Sequence, residues 1–217
     1  MDGRDTSEIL VTAYSRRYHA AALKLRVTEG GLADYPADRG GVTKYGISLR
    51  FLKAEGAIDL DADGFADFDL DFDGDIDGAD VRLLRWGDAV YLYHRCFWQR
   101  LDADSFAEPI GEMLFDQAVN GGIAAARKLL QRAINACLRK APMARTRPAF
   151  LKVDGAIGEV TLAALLWVLG YPALGMPALI AAFREVAADR YRAIAAADPS
   201  QKRFLKGWLN RAEALGR

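Results

Sequence analysis

Apolar residues recur at helical spacing along most of the chain. Over residues 6–28, Ile9, Leu10, Ala13, Tyr14, Ala21, Leu25 and Val27 predict one long helix. Glu29-Gly30-Gly31 ends it, with glycine where a left-handed cap is wanted. Residues 32–47, rich in Gly, Pro and Asp, predict an irregular loop or a short β-hairpin. Ser48 predicts the cap of a short helix reaching about Ala54. Val81, Leu84, Leu92 and Phe97 predict a helix over residues 80–99. Met113, Leu114 and Ala118 share a face before Gly121-Gly122, and Leu129, Leu130, Ala133, Ile134, Cys137 and Leu138 form the next stripe. A basic, proline-bearing loop follows over residues 140–152, then a tight turn at Asp154-Gly155. Three more helices are predicted over residues 161–169, 178–196 and 201–215. The expected fold class is mostly α, with one small β or loop excursion after the first long helix.

A chain of 217 residues with 52% hydrophobic and 27% charged residues is globular, not disordered or collagen-like. Two cysteines exclude a disulfide framework and a four-cysteine zinc site. Cys96 and Cys137 read as buried reduced thiols, with a single bond between them left open. Residues 160–183 hold no charge over 24 positions, which is long enough to span a bilayer. Gly170, Pro172, Gly175 and Pro177 divide the stretch, so two buried helices are expected and no membrane insertion. Residues 1–8 are polar and lack the apolar core of an export signal. His19 and His94 read as surface or core residues, and neither a Ser-His-Asp set nor a phosphate loop is present.

The formal net charge is zero, but ten aspartates and no Lys or Arg lie in residues 57–80. The remainder carries 29 basic against 19 acidic residues. Such a body either attracts polyanions or is a solvated, Arg-rich helical surface.

Candidate chemistry starts at Glu29. Cleaving a glycosidic bond needs a carboxylic acid to protonate the leaving oxygen and a second polar group to hold water or stabilise the oxocarbenium-like transition state. A glutamate at a helix end, followed by Asp38 and Thr43 across a glycine-rich loop, supplies those groups. The same residues also read as an exposed helix end and a turn.

The run from Glu29 to Ile47 resembles the signature of glycoside hydrolase family 108, the bacterial and phage muramidases. Its parts are Glu29-Gly30-Gly31, Pro36-Ala37-Asp38, Gly40-Gly41-Val42-Thr43 and Tyr45-Gly46-Ile47. Ala89-Val90-Tyr91 through Phe97-Trp98 is similar to a further family segment. So is Phe115-Asp116-Gln117-Ala118-Val119-Asn120-Gly121-Gly122 followed by Leu130-Gln131. Asp154-Gly155-Ala156-Ile157-Gly158 through Thr161, and Gly207-Trp208-Leu209-Asn210-Arg211, resemble the associated peptidoglycan-binding region.

The resemblance implies a lysozyme-like helical fold with the short hairpin after the first long helix. Residues 1–110 would form the catalytic region and residues 111–217 a helical peptidoglycan-binding region packed with it. It makes Glu29 the catalytic acid, with Asp38 and Thr43 as water-positioning or electrostatic partners and Tyr45 and Tyr35 as sugar contacts. Leu32 and Arg39 depart from the family's usual Tyr and Pro. Asp116, Asn120 and Gln131 read equally as cleft lining and as helix-to-helix hydrogen bonding. Asp154 and Thr161 read as turn and helix-start residues, and Trp208 as core.

The aspartate-rich insert fits an EF-hand calcium loop. Asp69, Asp71 and Asp73 fall at positions 1, 3 and 5, Gly74 at 6, Asp75 at 7, Ile76 at 8, Asp77 at 9 and Asp80 at 12. An Asp at position 12 resembles dockerin loops. Asp59, Asp61, Asp63 and Asp67 form an incomplete second copy, because position 12 there is Leu70.

The resulting expectation is a peptidoglycan hydrolase that cuts the β-1,4 bond between N-acetylmuramic acid and N-acetylglucosamine. It would be a monomer with structural calcium, no cofactor for catalysis and no nucleic-acid partner. Made in the bacterial cytoplasm without a signal peptide, a phage or prophage enzyme of this kind would reach the wall through a holin-like pore or on a particle. The competing readings are a lytic transglycosylase and a non-catalytic, calcium-dependent wall-binding or assembly protein.

Overall fold

The computed structural model describes residues 14–29, 41–60, 62, 64–142 and 145–217. The fold is mostly α with one two-stranded sheet, as expected. It divides into two compact units, Met1–Asp104 and Ser105–Arg217.

The first unit opens with α1, Arg16–Glu29. The helix expected from residue 6 starts here within the described residues, because Ser15 caps it: its hydroxyl accepts from Tyr18 N at 3.1 Å. Strands β1 (Thr43–Lys44) and β2 (Ile47–Ser48) pair antiparallel, Thr43 opposite Ser48 and Lys44 opposite Ile47. Ser48 then caps α2, Leu49–Glu55, by accepting from Phe51 N at 3.2 Å.

The single helix expected over residues 80–99 is instead two. Asp77 caps α3, Gly78–Leu83. Leu84 and Arg85 leave helical geometry, and α4 restarts over Trp86–Tyr93, with Asp88 accepting from Arg85 N at 2.5 Å. The Asp88 carboxylate, reaching back to the Arg85 N–H, therefore starts a new helix against a continuous apolar pattern. A π-helical stretch, His94–Trp98, and a last turn, Gln99–Leu101, complete this arm.

Tyr18, Leu25, Ile47, Leu52, Leu84, Leu92, Tyr93 and Trp98 form the buried core of the unit. Tyr18 donates to Val90 O and packs edge-on against His94. Trp98 Nε1 donates to Asp104 at 2.7 Å, and the Ser15 hydroxyl donates to the same carboxylate at 3.0 Å. Cys96 and Cys137 are buried free thiols. Burial, and then the Glu55 charge, pushes Cys96 up to about 11, so it stays protonated at neutral pH.

The second unit holds α5 (Ile110–Gly121), α6 (Ile123–Lys140), α7 (Glu159–Gly170), α8 (Gly175–Ala197) and α9 (Leu205–Ala214). A 3-10 helix, Pro199–Phe204, occupies the start of the helix expected from residue 201, with Asp198 capping it ahead of the proline. Leu114, Phe115, Leu130, Ile134, Phe183 and Tyr191 close the core. Asn135 holds the irregular segment before α7 by donating to Leu151 O at 2.9 Å and accepting from Leu151 N at 2.7 Å.

The glycines and prolines of residues 170–177 separate α7 from α8, and among the described residues no helix is long and apolar enough to cross a membrane. However, α7 is not wholly buried. Ala164, Leu165 and Val168 face the core, while Val160 and Leu166 are 76% and 68% exposed. One helix face suffices to pack it, and the other stays apolar and open.

Candidate functional site

Glu29 is the last residue of α1. Tyr35 and Asp38 lie outside the described residues. The chain is described again from Gly41, where the hairpin begins. Its turn is Tyr45-Gly46, and both residues have positive φ, 52° and 77°. A two-residue hairpin of the I′ kind requires this of both central residues. Glycine accepts it freely, whereas a tyrosine there is strained.

The strained turn is gripped from α4. Tyr93 donates its hydroxyl to Tyr45 O at 2.7 Å. The Tyr45 ring meets Trp86 edge-on, with centroids 5.8 Å apart. Lys44 Nζ lies 5.6 Å from the Tyr45 ring and donates to Arg82 O. Thr43 is half-buried and its hydroxyl donates to Gly41 O at 3.4 Å, which leaves lone pairs to accept from a water. Sequence reasoning missed Trp86 and Arg26, whose guanidinium lies 5.5 Å from the Trp86 centroid. No motif marks them, and the only local signal is Asp88 three residues after Arg85, which starts a helix at Trp86.

Asp116 and Asn120 lie on α5 in the second unit. Asp116 receives Arg211 Nε on both carboxylate oxygens at 3.1 Å. Asn120 accepts from the Tyr191 hydroxyl at 3.0 Å, beside Gln117, whose amide donates to the same oxygen at 3.1 Å. These contacts tie α5 to α8 and α9. Gln131 likewise donates to Asp154 and to Ala156 O, both at 3.0 Å, and accepts from Gly155 N at 2.8 Å. Its amide, then the Ala156 N–H, holds the Asp154 carboxyl below the usual range. Thr161 donates to Ala156 O at the start of α7. Trp208 is half-buried rather than core, with its ring stacked on Tyr191 at 5.4 Å.

In the insert, Asp69 accepts from Gly74 N at 2.9 Å and from Asp73 N at 3.2 Å. Asp80 accepts from Leu70 N and Asp77 N, both at 2.6 Å. The incomplete copy starts the same way, with Asp59 accepting from Gly64 N at 3.0 Å. Ala62 and Phe72 both have φ of 60°, and Gly64 and Gly74 have 91° and 97°, so the two copies share their turn. Asp67 closes the first copy by accepting from Leu60 N. Asp61 and Asp63 lie outside the described residues.

Among the described residues the carboxylates form two triads, Asp69–Asp71–Asp73 and Asp75–Asp77–Asp80, each with oxygens within 4.8 Å of one another. Asp69 and Asp80 are 3% and 1% exposed, and no Lys or Arg pairs with either among the described residues. Desolvation, and then the Asp73 and Asp80 charges, raises the Asp71 carboxyl above its ordinary range. Two buried carboxylates and an all-oxygen donor set fit a hard divalent cation.

Comparison with known proteins completes the picture. The profile described as Glycosyl hydrolase 108 matches residues 9–122, and the one described as Predicted Peptidoglycan domain matches residues 125–213. The hydrolase match ends one helix into the second unit, so α5, with Asp116 and Asn120, falls inside it. No curated protein matches the chain. Among solved structures, that of Brucella abortus SagA is similar, with 22% identity, a TM-score of 0.60, and coverage of 92% of this chain and 95% of that one. At that identity the likeness is one of fold. The hydrolase profile spans more than half of the sequence and contains Glu29, Asp38, Thr43 and the hairpin, and the peptidoglycan profile takes up most of the rest. The chain belongs to the glycosyl hydrolase 108 family and is a glycoside hydrolase joined to a peptidoglycan domain.

Proposed function

We propose that the protein is an N-acetylmuramidase that hydrolyses the β-1,4 bond between N-acetylmuramic acid and N-acetylglucosamine, with Glu29 as general acid. The observation that carries this is the place of Glu29 at the C-terminal end of α1, inside the hydrolase match and ahead of the hairpin that carries Thr43. The C-terminal end of a helix carries partial negative charge, which disfavours a second negative charge there and suits a proton donor. In the reaction the Glu29 proton passes to the glycosidic oxygen as the bond to the anomeric carbon breaks. Water, held by Asp38 and Thr43, adds to that carbon and gives its proton to the Asp38 carboxylate, and exchange with solvent then returns a proton to Glu29. Tyr35 and Tyr45 contact the sugar.

Digestion of purified sacculi tests the reading. Mass spectrometry should find reducing N-acetylmuramic acid ends, one water heavier than 1,6-anhydro ends, and NMR should find the inverted anomer first. Anhydro products would make the protein a transglycosylase. No cleavage at any pH or calcium level would leave a binding protein.

The reading extends to the insert. Calcium would be held by Asp69, Asp71, Asp73, the Asp75 carbonyl, Asp77 and Asp80, with Asp59, Asp61, Asp63 and Asp67 as a second, incomplete site. The ion supplies positive charge to the buried carboxylates, and no step of the hydrolysis runs through it.

Charge outside the insert bears on wall binding. With 29 basic against 19 acidic residues there, adsorption to anionic wall polymer should weaken as salt rises. Co-sedimentation with sacculi at low and high salt measures this, and identical binding at both would show that only saccharide contacts hold the protein.

A further inference from the structure

We infer that Trp86 is a positioning residue, whose indole ties the last turn of α1 to the turn of the hairpin and so fixes the spacing of Glu29 and Thr43. The inference rests on the proposed roles of those two residues.

Two contacts converge on this ring, and a third comes from the helix it opens. Arg26, one helical turn before Glu29, places its guanidinium 5.5 Å from the indole centroid. Tyr45, two residues after Thr43, sets its ring against the indole at 5.8 Å and 77°. Trp86 itself opens α4, whose Tyr93 holds the Tyr45 carbonyl at 2.7 Å. The hairpin turn is thus fixed twice from one helix, at its backbone by Tyr93 and at its side chain by Trp86. The end of α1 is fixed to that same helix through Arg26.

The strain at Tyr45 strengthens the case. A tyrosine with φ of 52° persists only where its surroundings over-determine it. Glycine occupies the next position without cost, so the turn itself does not require a tyrosine's side chain. What the tyrosine adds, besides the proposed sugar contact, is a ring that reaches Trp86. A broad flat residue is needed at position 86, because it must offer a face to a cation and meet a ring edge at the same time. Leucine does neither, whereas phenylalanine can do both.

The test compares Trp86→Leu, Trp86→Phe and Arg26→Gln with wild type on solubilised peptidoglycan strands, with melting curves for each. Misplacement by about 1 Å can cost about a hundredfold in rate. Trp86→Leu should therefore lower kcat by about tenfold or more while KM stays within about twofold, the pattern of a lost transition-state geometry. Its pH–rate profile should also shift, because the acid and its partners no longer keep their spacing. Trp86→Phe should recover most of the rate. Arg26→Gln, at an exposed position, should lower kcat less than Trp86→Leu with the melting curve unchanged.

Wild-type kcat and pH profile in Trp86→Leu would overturn the inference. So would equal losses in the Leu and Phe variants that follow their melting temperatures. If Trp86→Leu does not fold, an unchanged kcat in Arg26→Gln overturns it. Each ratio is read on whichever bond the wild type cuts, so a wrong acid shows in Glu29→Gln and a wrong tie shows in Trp86→Leu.

Discussion

Glu29→Gln should lower peptidoglycan cleavage by about 10²- to 10⁴-fold and leave the unfolding curve unchanged. The amide keeps the size and shape of the carboxyl but has no proton to give the leaving oxygen. The loss corresponds to about 2.7–5.4 kcal/mol of barrier at 1.36 kcal/mol per tenfold. Binding to sacculi should survive, because the peptidoglycan profile covers residues 125–213, far along the chain from Glu29. The comparison requires only the purified variant, a zymogram and a co-sedimentation assay. A well-folded variant with near wild-type clearing would remove Glu29 from the reaction.

Calcium should raise the melting temperature, and a chelator should lower it. The reason lies in Asp69 and Asp80, carboxylates at most 3% exposed that are held by backbone N–H groups rather than by cations. A ligand that binds only the folded state at a hundredfold excess over its dissociation constant stabilises by about 2.7 kcal/mol. In a chain of this size that is about 5–10 °C. Asp73→Ala removes the proposed position-5 ligand and should abolish the difference between calcium and chelator. Activity should follow only through stability, because the proton transfer proposed for Glu29 is not routed through the ion. Superimposable melting curves in millimolar calcium and in chelator would show that the insert is merely an acidic loop.

The legible parts of the fold were those set by local chemistry. Ser48 announced a cap, and it accepts from Phe51 N. Asp154-Gly155 announced a turn, and Gly155 has φ of 86°. Gly121-Gly122 announced a break, and α5 gives way to α6 there. The illegible parts were decided by contacts distant in sequence or by competition between signals. Leu84 and Arg85 break a helix whose apolar spacing is continuous, because the Asp88 carboxylate takes the Arg85 N–H and starts a new one.

Of the candidate region, the short hairpin after the first helix could be read directly, because its glycines and turn residues lie in one contiguous run. The arm that holds the hairpin could not. Trp86 and Arg26 lie 60 positions apart and belong to no pattern. Asp116 and Asn120 had two readings for a related reason. Their partners, Arg211 and Tyr191, are 95 and 71 residues away, and only the folded chain brings them together.

The insert looks like a cassette dropped into a hydrolase, but its seam lies inside the working frame. Gly78 packs so closely on Val42 that a methyl group there would come within 3.3 Å of it, and Lys44 anchors the far end of the same helix at Arg82 O. The last turn of the cassette is therefore a strut under the strand that bears Thr43. A designer who wished to excise the acidic segment would have to cut before Asp77 and keep the α3 helix, Gly78–Leu83, as native architecture. The same seam makes the segment hard to shed in evolution: once a guest supports the beam it was added beside, its loss must be repaired at the hairpin as well as at the splice.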